Sequence, residues 1–371
     1  MEKGWMITVN APSKVWSQGI FYVGSYGEKD EATIHVCRMD KETGELAILQ
    51  KVTGVENASF LALHPNGRRL YAVKEVAESN GAAGGEIAAI AVDPATGLLG
   101  DVTSFASTVG AHPCYVSVNE AGTAAYTANY TGGSVTMHPL TAEGDVQTAA
   151  AFIQHACEPG PAADRQEAPH AHCISPMPGT AFVCAVDLGM DAVVTYKHDG
   201  DALVKIDEAP LPAGAGPRHI AFHPALDAAY VANELASTVT LMRVDKTRGA
   251  LETVETYSTL PDGYEGYNDS ADIHVSSDGR YLYSSNRGHN SIAVFAIEAG
   301  TGKLSPVQHI SCGGELPRNF GITPEGDYLL AANGKTGNIA VFRRDRETGL
   351  LSPTNHQLEL NIPVCIRFGH I

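Results

Sequence analysis

Residues 272–304 read DIHVSSDGRYLYSSNRGHNSIAVFAIEAGTGKL. Ile273, Val275 and Ser277 alternate in direction, Asp278-Gly279 marks a tight turn, and residues 281–286 (YLYSSN) run back, so the first half predicts a hairpin. After Arg287-Gly288-His289 an apolar alternation spans 291–297, and Gly300 and Gly302 mark a turn before Leu304 opens a further short strand. Four antiparallel strands per repeat is the unit of a propeller blade.

Working outward, five more segments align on the turn glycine and on the polar residue that closes the second strand. They are 61–99 (LALHPNGRRLYAVKE, then AVDPATGLL), 115–146 (YVSVNEAGTAAYTANY), 172–203 (HCISPMPGTAFVCAVDLG), 219–251 (HIAFHPALDAAYVANE, then DKTRGAL) and 319–351 (NFGITPEGDYLLAANG, then DRETGLL). The period is about 50 residues, within the range of propeller repeats. A seventh copy is split: residues 21–46 (FYVGSY, IHVCRMDKETGEL) supply a second, third and fourth strand without a first, and Cys365-Ile366-Arg367-Phe368 supplies an orphan strand. Joining them closes the ring and removes the free sheet edge at the seam. The expectation is an all-β, seven-bladed β-propeller with four antiparallel strands per blade, forming one domain over 19–371 behind an N-terminal extension at 1–18. A chain of 371 residues is long for one domain, but radial repetition relaxes the limit because each blade packs only on its neighbours.

Composition narrows the partners. The 38 glycines suit the many turns, and a charged fraction of 18% suits strands buried on both faces. A formal net charge of −17 opposes nucleic acid and anionic membranes as partners, since both need clustered Lys and Arg. No apolar run reaches bilayer length and 1–18 has no signal-peptide core, which points to the cytoplasm. The seven cysteines are scattered without a C-x-x-C and read as small buried hydrophobes; Cys173 and Cys184 are the one pair that a hairpin could bring together. Nothing in the pattern sets an oligomeric state.

Strand polarity decides where chemistry can occur. The start of each first strand and the end of each second strand lie at the same end of the disk, beside the channel. First-strand starts read His112-Pro113, His170-Ala171-His172, Pro217-Arg218-His219, Asp272-Ile273-His274 and Pro317-Arg318-Asn319; second-strand ends read Ser25-Tyr26, Lys74-Glu75, Asn129-Tyr130, Asp187, Asn233-Glu234, Asn286-Arg287 and Asn333. The other face receives only turns such as Asn66-Gly67 and Asp278-Gly279. A ring of Arg, His, Asn and carboxylates at one mouth suits a small anion, and Arg218, Arg287 and Arg318 can clamp a carboxylate or phosphate with forked hydrogen bonds. The alternative for each is a bond to neighbouring backbone.

His170 and His172, at i and i+2, are expected to share a face. They can act as donor or acid/base, can bind a metal with Asp187 or His219 as a further ligand, or can simply hold a carbonyl. Glu234, among desolvating walls and arginines, is a candidate general base for water or, with a raised pKa, an acid; the alternative is a salt bridge to Arg218. The polar loops 158–169 and 261–271 feed the same face, with Tyr264, Tyr267 and Asn268 as lid candidates. G-x-S-x-G, P-loop, G-x-G-x-x-G and H-E-x-x-H signatures are missing, which disfavours serine hydrolases and nucleotide enzymes.

HAH at 170–172, GPRH at 216–219, VANE at 231–234, the run 273–295 and PRNFGITPEGDYLLAAN at 317–333 together resemble the seven-bladed propeller lactonase family, over about residues 21–368. That family includes propeller-type 6-phosphogluconolactonases and 3-carboxy-cis,cis-muconate lactonizing enzymes. The resemblance implies metal-independent chemistry without a cofactor, on a small anionic lactone or sugar acid. It implies a lactonase of carbohydrate metabolism, in the pentose phosphate pathway. Carried over, His170 or His172, Arg218, Glu234 and Arg287 match the family's active-site motifs and Arg318 its PR motif. The expected catalytic set is Glu234, His172, His170 and Arg218, with Arg287, Arg318, His219, Asp187, Asn233, Asn286, His274 and Asn333 as substrate contacts and no metal ligand. Two alternatives stand beside hydrolysis: a lactonizing isomerase acting on a carboxy-muconate-like diacid, and a non-enzymatic scaffold. A scaffold should show an exposed apolar or aromatic docking patch on the disk, whereas this sequence places its polar cluster at a narrow mouth and lacks the Trp-Asp signature of scaffolding repeats.

Overall fold

The structure, a computed structural model, describes residues 15–369. Blade 6 shows how the repeat folds. Its strands Asp269–Val275, Tyr281–Arg287, Ser291–Ile297 and Leu304–Ser311 pair antiparallel in sequence order. The first turn runs through Gly279 at φ 71°, a left-handed backbone that glycine adopts without penalty. Blades 2 (61–107), 3 (113–154), 4 (171–210), 5 (217–258) and 7 (317–359) repeat the order, giving seven four-stranded sheets with blade 1. Blade 2 carries a small extra hairpin, Glu78–Ser79 with Ala82–Ala83.

Blade 1 is the clasp. Its second, third and fourth strands are Ile20–Ser25, Ile34–Met39 and Leu46–Val52, and Pro363–Phe368 pairs with Ile20–Ser25 as the first strand, Phe21 opposite Phe368. The seam is packed as well as paired. Trp16 lies edge-on against Phe368 with centroids 4.9 Å apart and donates its indole N–H to Glu325. Val15–Gln18 therefore pack onto the ring although the sequence placed them in an extension; residues 1–14 lie outside the described residues.

The core is distributed along the seams between blades. One cluster joins Tyr283, Val294 and Phe320 of blades 6 and 7; another joins Tyr230, Leu241, Leu282 and Phe295 of blades 5 and 6. Four of the seams are also pinned by the same polar bond. A second-strand tyrosine reaches the next blade and donates to a glycine carbonyl in its third turn: Tyr22 to Gly97, Tyr71 to Gly144, Tyr230 to Gly302 and Tyr283 to Gly349, at 2.6–2.8 Å. A buried phenol needs such a partner, and the bond fixes the angle between blades. All seven cysteines are free, Cys173 and Cys184 included.

Candidate active site

Strand register builds the mouth. Asn129, Asp187, Asn233 and Asn333 close second strands opposite Pro113, Ala171, Pro217 and Pro317, and the next pair in each ladder skips one residue of the first strand. The skipped residues are Cys114, His172, Arg218 and Arg318, with Val364 their counterpart in the clasp. A bulge leaves the extra residue out of the ladder and re-aims its side chain, so a defect in the same place in blade after blade becomes a ring of side chains at the mouth. The residues that follow the second-strand ends join this ring: Tyr26, Glu75, Tyr130, Glu234 and, across from Asp269, Arg287.

Glu234 is its centre. Arg218 Nε and Arg287 Nη2 lie 2.9 Å and 2.8 Å from one carboxylate oxygen, and Arg165 Nη2 donates to the other. Arg165 also donates to the Tyr130 hydroxyl at 3.3 Å and stands 3.9 Å from Asp269. Burial alone pushes the Glu234 carboxyl up, but Arg287, Arg218 and Arg165 overcome it and hold it at about 2. Burial, Arg318 and Arg287 draw Arg218 down to about 10, still fully charged at neutral pH. Its Nη1 donates to the Ala271 carbonyl at 2.7 Å, and the Nε hydrogens of Arg218 and Arg287, both in buried positions, meet no acceptor in line.

Two neutral imidazoles lie beside this cluster. Burial, then Arg218, His219 and Arg318, push His172 well below its ordinary value; burial and Arg218 push His219 to about 3. The two rings meet edge to face, centroids 5.2 Å apart. Across the mouth, Glu75 accepts from Tyr26 at 2.9 Å and from Ser59, while Arg318 sits over the Tyr26 ring at 5.6 Å with no carboxylate within ion-pair distance among the described residues.

One step deeper the side chains close the channel. Phe60 stacks on Tyr115 at 4.0 Å, Tyr115 meets His219 at 5.2 Å, and His219 Nδ1 donates to Asp272 at 2.7 Å. Asp272 accepts also from His274 at 2.9 Å, from the Asn319 amide and from the Phe320 N–H. Ring contacts between Phe60, Tyr115 and His219, from blades 2, 3 and 5, cross the axis and lay a floor beneath the mouth, which is called the cup below. A separate funnel of about 470 Å³, lined by His274, Ile322 and Arg367, opens on the far face.

Residues 20–368 match the family described as Lactonase, 7-bladed beta-propeller. The chain belongs to that family. It is 35% identical over 351 residues to a 6-phosphogluconolactonase of Bacillus subtilis, covering 95% of this chain and 98% of the relative. A 6-phosphogluconolactonase of Formosa agariphila is 34% identical over 82% of this chain and 86% of its own length. Among solved structures, a periplasmic gluconolactonase of Pseudomonas aeruginosa superposes with a TM-score of 0.87 at 30% identity, covering 95% of this chain and 99% of that one. No helix among the described residues is long and apolar enough to cross a membrane.

Set against this lactonase fold, the residues expected from sequence divide. Glu234, His172, Arg218, Arg287 and Arg318 line the cup, with His219 in its floor. His170 and His172 do not share a face, because the bulge at His172 turns the second imidazole. Instead they flank Tyr130, with His170 on the rim bonded to the Tyr130 carbonyl and to Glu167, both at 3.1 Å.

Asp187 and the strand-closing asparagines are placed differently. Asp187 accepts from His155 at 2.7 Å and from the N–H groups of His170, Gly189 and Met190. Asn233 is held by Thr238 and Thr240, Asn286 by Thr259 and Ser291, and Asn333 donates to Cys312. These side chains point along the sheet into their own corners, where they hold the turns that present Glu234 and Arg287. Asn268, expected in a lid, is another such strut, bonded to Ser237 and Asn286; Tyr267 remains 74% exposed. His274 is displaced for a different reason. Ser270, not Asp272, faces Asn286, so Asp272 is the counterpart of His219 and His274 falls two residues further down, toward the far funnel. Arg165 is a site residue that repeat-based reading passed over, because it arrives from a loop outside the repeat; Tyr130 stands at the mouth by that reading, in the position of Glu234, but without a role.

Proposed function

We propose that this chain hydrolyses a sugar-acid δ-lactone, 6-phosphogluconolactone, to the open acid. The observation that carries the reading is the cup itself: buried guanidinia gathered on one carboxylate, a further guanidinium without a carboxylate, and a neutral imidazole among them, in a chain of lactonase family membership. A lactone carbonyl needs cationic donors where its oxygen becomes negative, and Arg218 with Arg318 supplies them from fixed bulges. Water needs a base that is unprotonated at neutral pH, and His172 is one. Water oxygen adds to the carbonyl carbon as its proton passes to His172. The ring C–O bond then breaks, and the imidazolium returns that proton to the departing alkoxide. The acid product ionises beside Arg318.

On this reading Glu234 does not abstract the proton. Its oxygens are already occupied by three arginines, so its part is to gather and orient the guanidinia. The relatives named 6-phosphogluconolactonase support the choice of lactone, and with it action in the pentose phosphate pathway, in the cytoplasm. The test is turnover of 6-phosphogluconolactone, corrected for spontaneous opening. His172→Ala is expected to lose about 10²–10⁴-fold in kcat. Wild-type rates in both His172→Ala and Glu234→Gln would refute the assignment, and cyclisation of a muconate by the wild type, with no lactone opening, would favour the isomerase.

A further inference from the structure

Three guanidinia surround Glu234, but they are not alike. The side chains of Arg218 and Arg287 are 2% and 10% exposed, whereas that of Arg165 is 31% exposed. Arg165 comes from loop 155–169, and the loop holds it firmly. The next residue, Gln166, is fully buried; it donates to the Leu188 carbonyl at 2.8 Å, accepts from Ala162 N–H at 3.2 Å, and exchanges backbone bonds with Gly160 and Ala162. Arg165 is thus a rim residue on a pinned loop, which spares an incoming ligand much of the cost of ordering it.

Charge at the rim is unbalanced in one direction. Arg165, Arg218 and Arg287 face two carboxylates, Glu234 and Asp269, and Asp269 is also bound by the Tyr267 hydroxyl. Of the exposed acids flanking it on the loop, Glu167 turns onto His170 and Asp164 makes no ion pair with Arg165 among the described residues. If Arg165 shared its hydrogens with another anion, Glu234 would keep Arg218 and Arg287, so no buried carboxylate would be left unpaired. Nε of Arg165 has no partner among the described residues, and its Nη1 makes only the 3.9 Å contact with Asp269.

We infer that Arg165, with the Tyr130 hydroxyl beside it, is the specificity element that holds the distal phosphate of the substrate at the rim while the lactone ring enters the cup. The inference rests on the proposed lactonase activity and adds which residue distinguishes a phosphorylated lactone from a plain one. It also divides labour: recessed Arg218 and Arg318 meet the reacting end, and Arg165 the far end. A rim arginine forks a phosphate with two charge-assisted bonds, and lysine, a point charge, replaces it only in part.

The experiment compares 6-phosphogluconolactone with glucono-δ-lactone on wild type, Arg165→Gln and Arg165→Lys, with inorganic phosphate as inhibitor of glucono-δ-lactone opening. For Arg165→Gln, KM for the phosphorylated lactone is expected to rise about 10–100-fold. The ratio of kcat/KM for the phosphorylated to the plain lactone should fall by the same factor, beyond any loss that the two lactones share through Glu234. Inhibition by phosphate should weaken in parallel, with Arg165→Lys intermediate. Equal losses on both lactones would overturn the inference by showing that Arg165 acts through Glu234; unchanged KM and unchanged phosphate inhibition would overturn it outright. A wild type inert on both lactones would instead refute the lactonase reading beneath it.

Discussion

Two carboxylates are buried one blade apart, and their surroundings differ in kind. Asp272 is saturated by directed donors: two imidazoles, an amide side chain and a backbone N–H. Glu234 is crowded by three cations, two of which approach at ion-pair distance without aligning a hydrogen bond from Nε. Saturation with directed donors locks blades 5, 6 and 7 together across the axis. Excess charge with imperfect alignment keeps donors available to something else. A fold settles its polar groups wherever it can, so a knot left over-charged is a place to look for function.

Breaking each carboxylate should break a different property. Glu234→Gln is expected to lower kcat/KM on the lactone about 10²–10³-fold. Asp272→Asn should instead cost about 3–5 kcal/mol of unfolding free energy, because it disrupts a buried network while leaving the cup's arginines in place. Urea unfolding alongside the lactone assay checks both. An Asp272 variant that stayed stable but lost activity would erase the contrast.

Acid should weaken both regions in two stages. His219 is held at about 3 against an ordinary 6.5, so the unfolded chain takes up a proton that the native floor refuses. Stability tied to it is complete above about pH 6.5 and declines as pH falls toward 3. Glu234 is held at about 2 against 4.5, so its share is complete above about pH 4.5 and is lost between there and 2. Urea midpoints taken at steps of pH should fall in two stages, an upper one set by buried neutral histidines, His219 and His172 among them, and a lower one set by buried carboxylates, Glu234 and Asp272 among them. His219→Gln is expected to flatten the upper stage and Glu234→Gln the lower; a single unchanged limb in both variants would contradict this order. The smallest effect lies outside both regions. Tyr230→Phe removes one seam bond to Gly302 and should cost about 1 kcal/mol with activity intact.

The ring was legible because a propeller writes its geometry many times over: turn glycines and alternating strands recur along the chain, and the single missing first strand stands out against them. The cup was legible in position but not in aim. Period-two alternation assumes an unbroken ladder, and the bulges at His172, Arg218 and Arg318 break it where the chemistry gathers. The strand-closing asparagines looked like site residues because they stand beside Glu234 and Arg287 in sequence. Their amides turn sideways because buried turns need donors. His274 slipped because blade 6 starts its first strand early, at Asp269, which moves its register two residues against the other copies. Arg165 belongs to no repeat, and only tertiary contact reveals it. The tyrosines of the seams were visible, but their glycine partners lie 66–75 residues away.

The clasp has a consequence in time. A ribosome makes Ile20–Val52 among the earliest segments of this chain and Pro363–Phe368 only after six further blades have emerged. The first blade begun is therefore the last finished, and during translation its Ile20–Ser25 edge waits unpaired. Until the closing strand arrives, the nascent arc is open on both sides, Arg318 and Tyr26 are not yet neighbours, and the cup does not exist. The mouth is complete only once Pro363–Phe368 has paired with Ile20–Ser25.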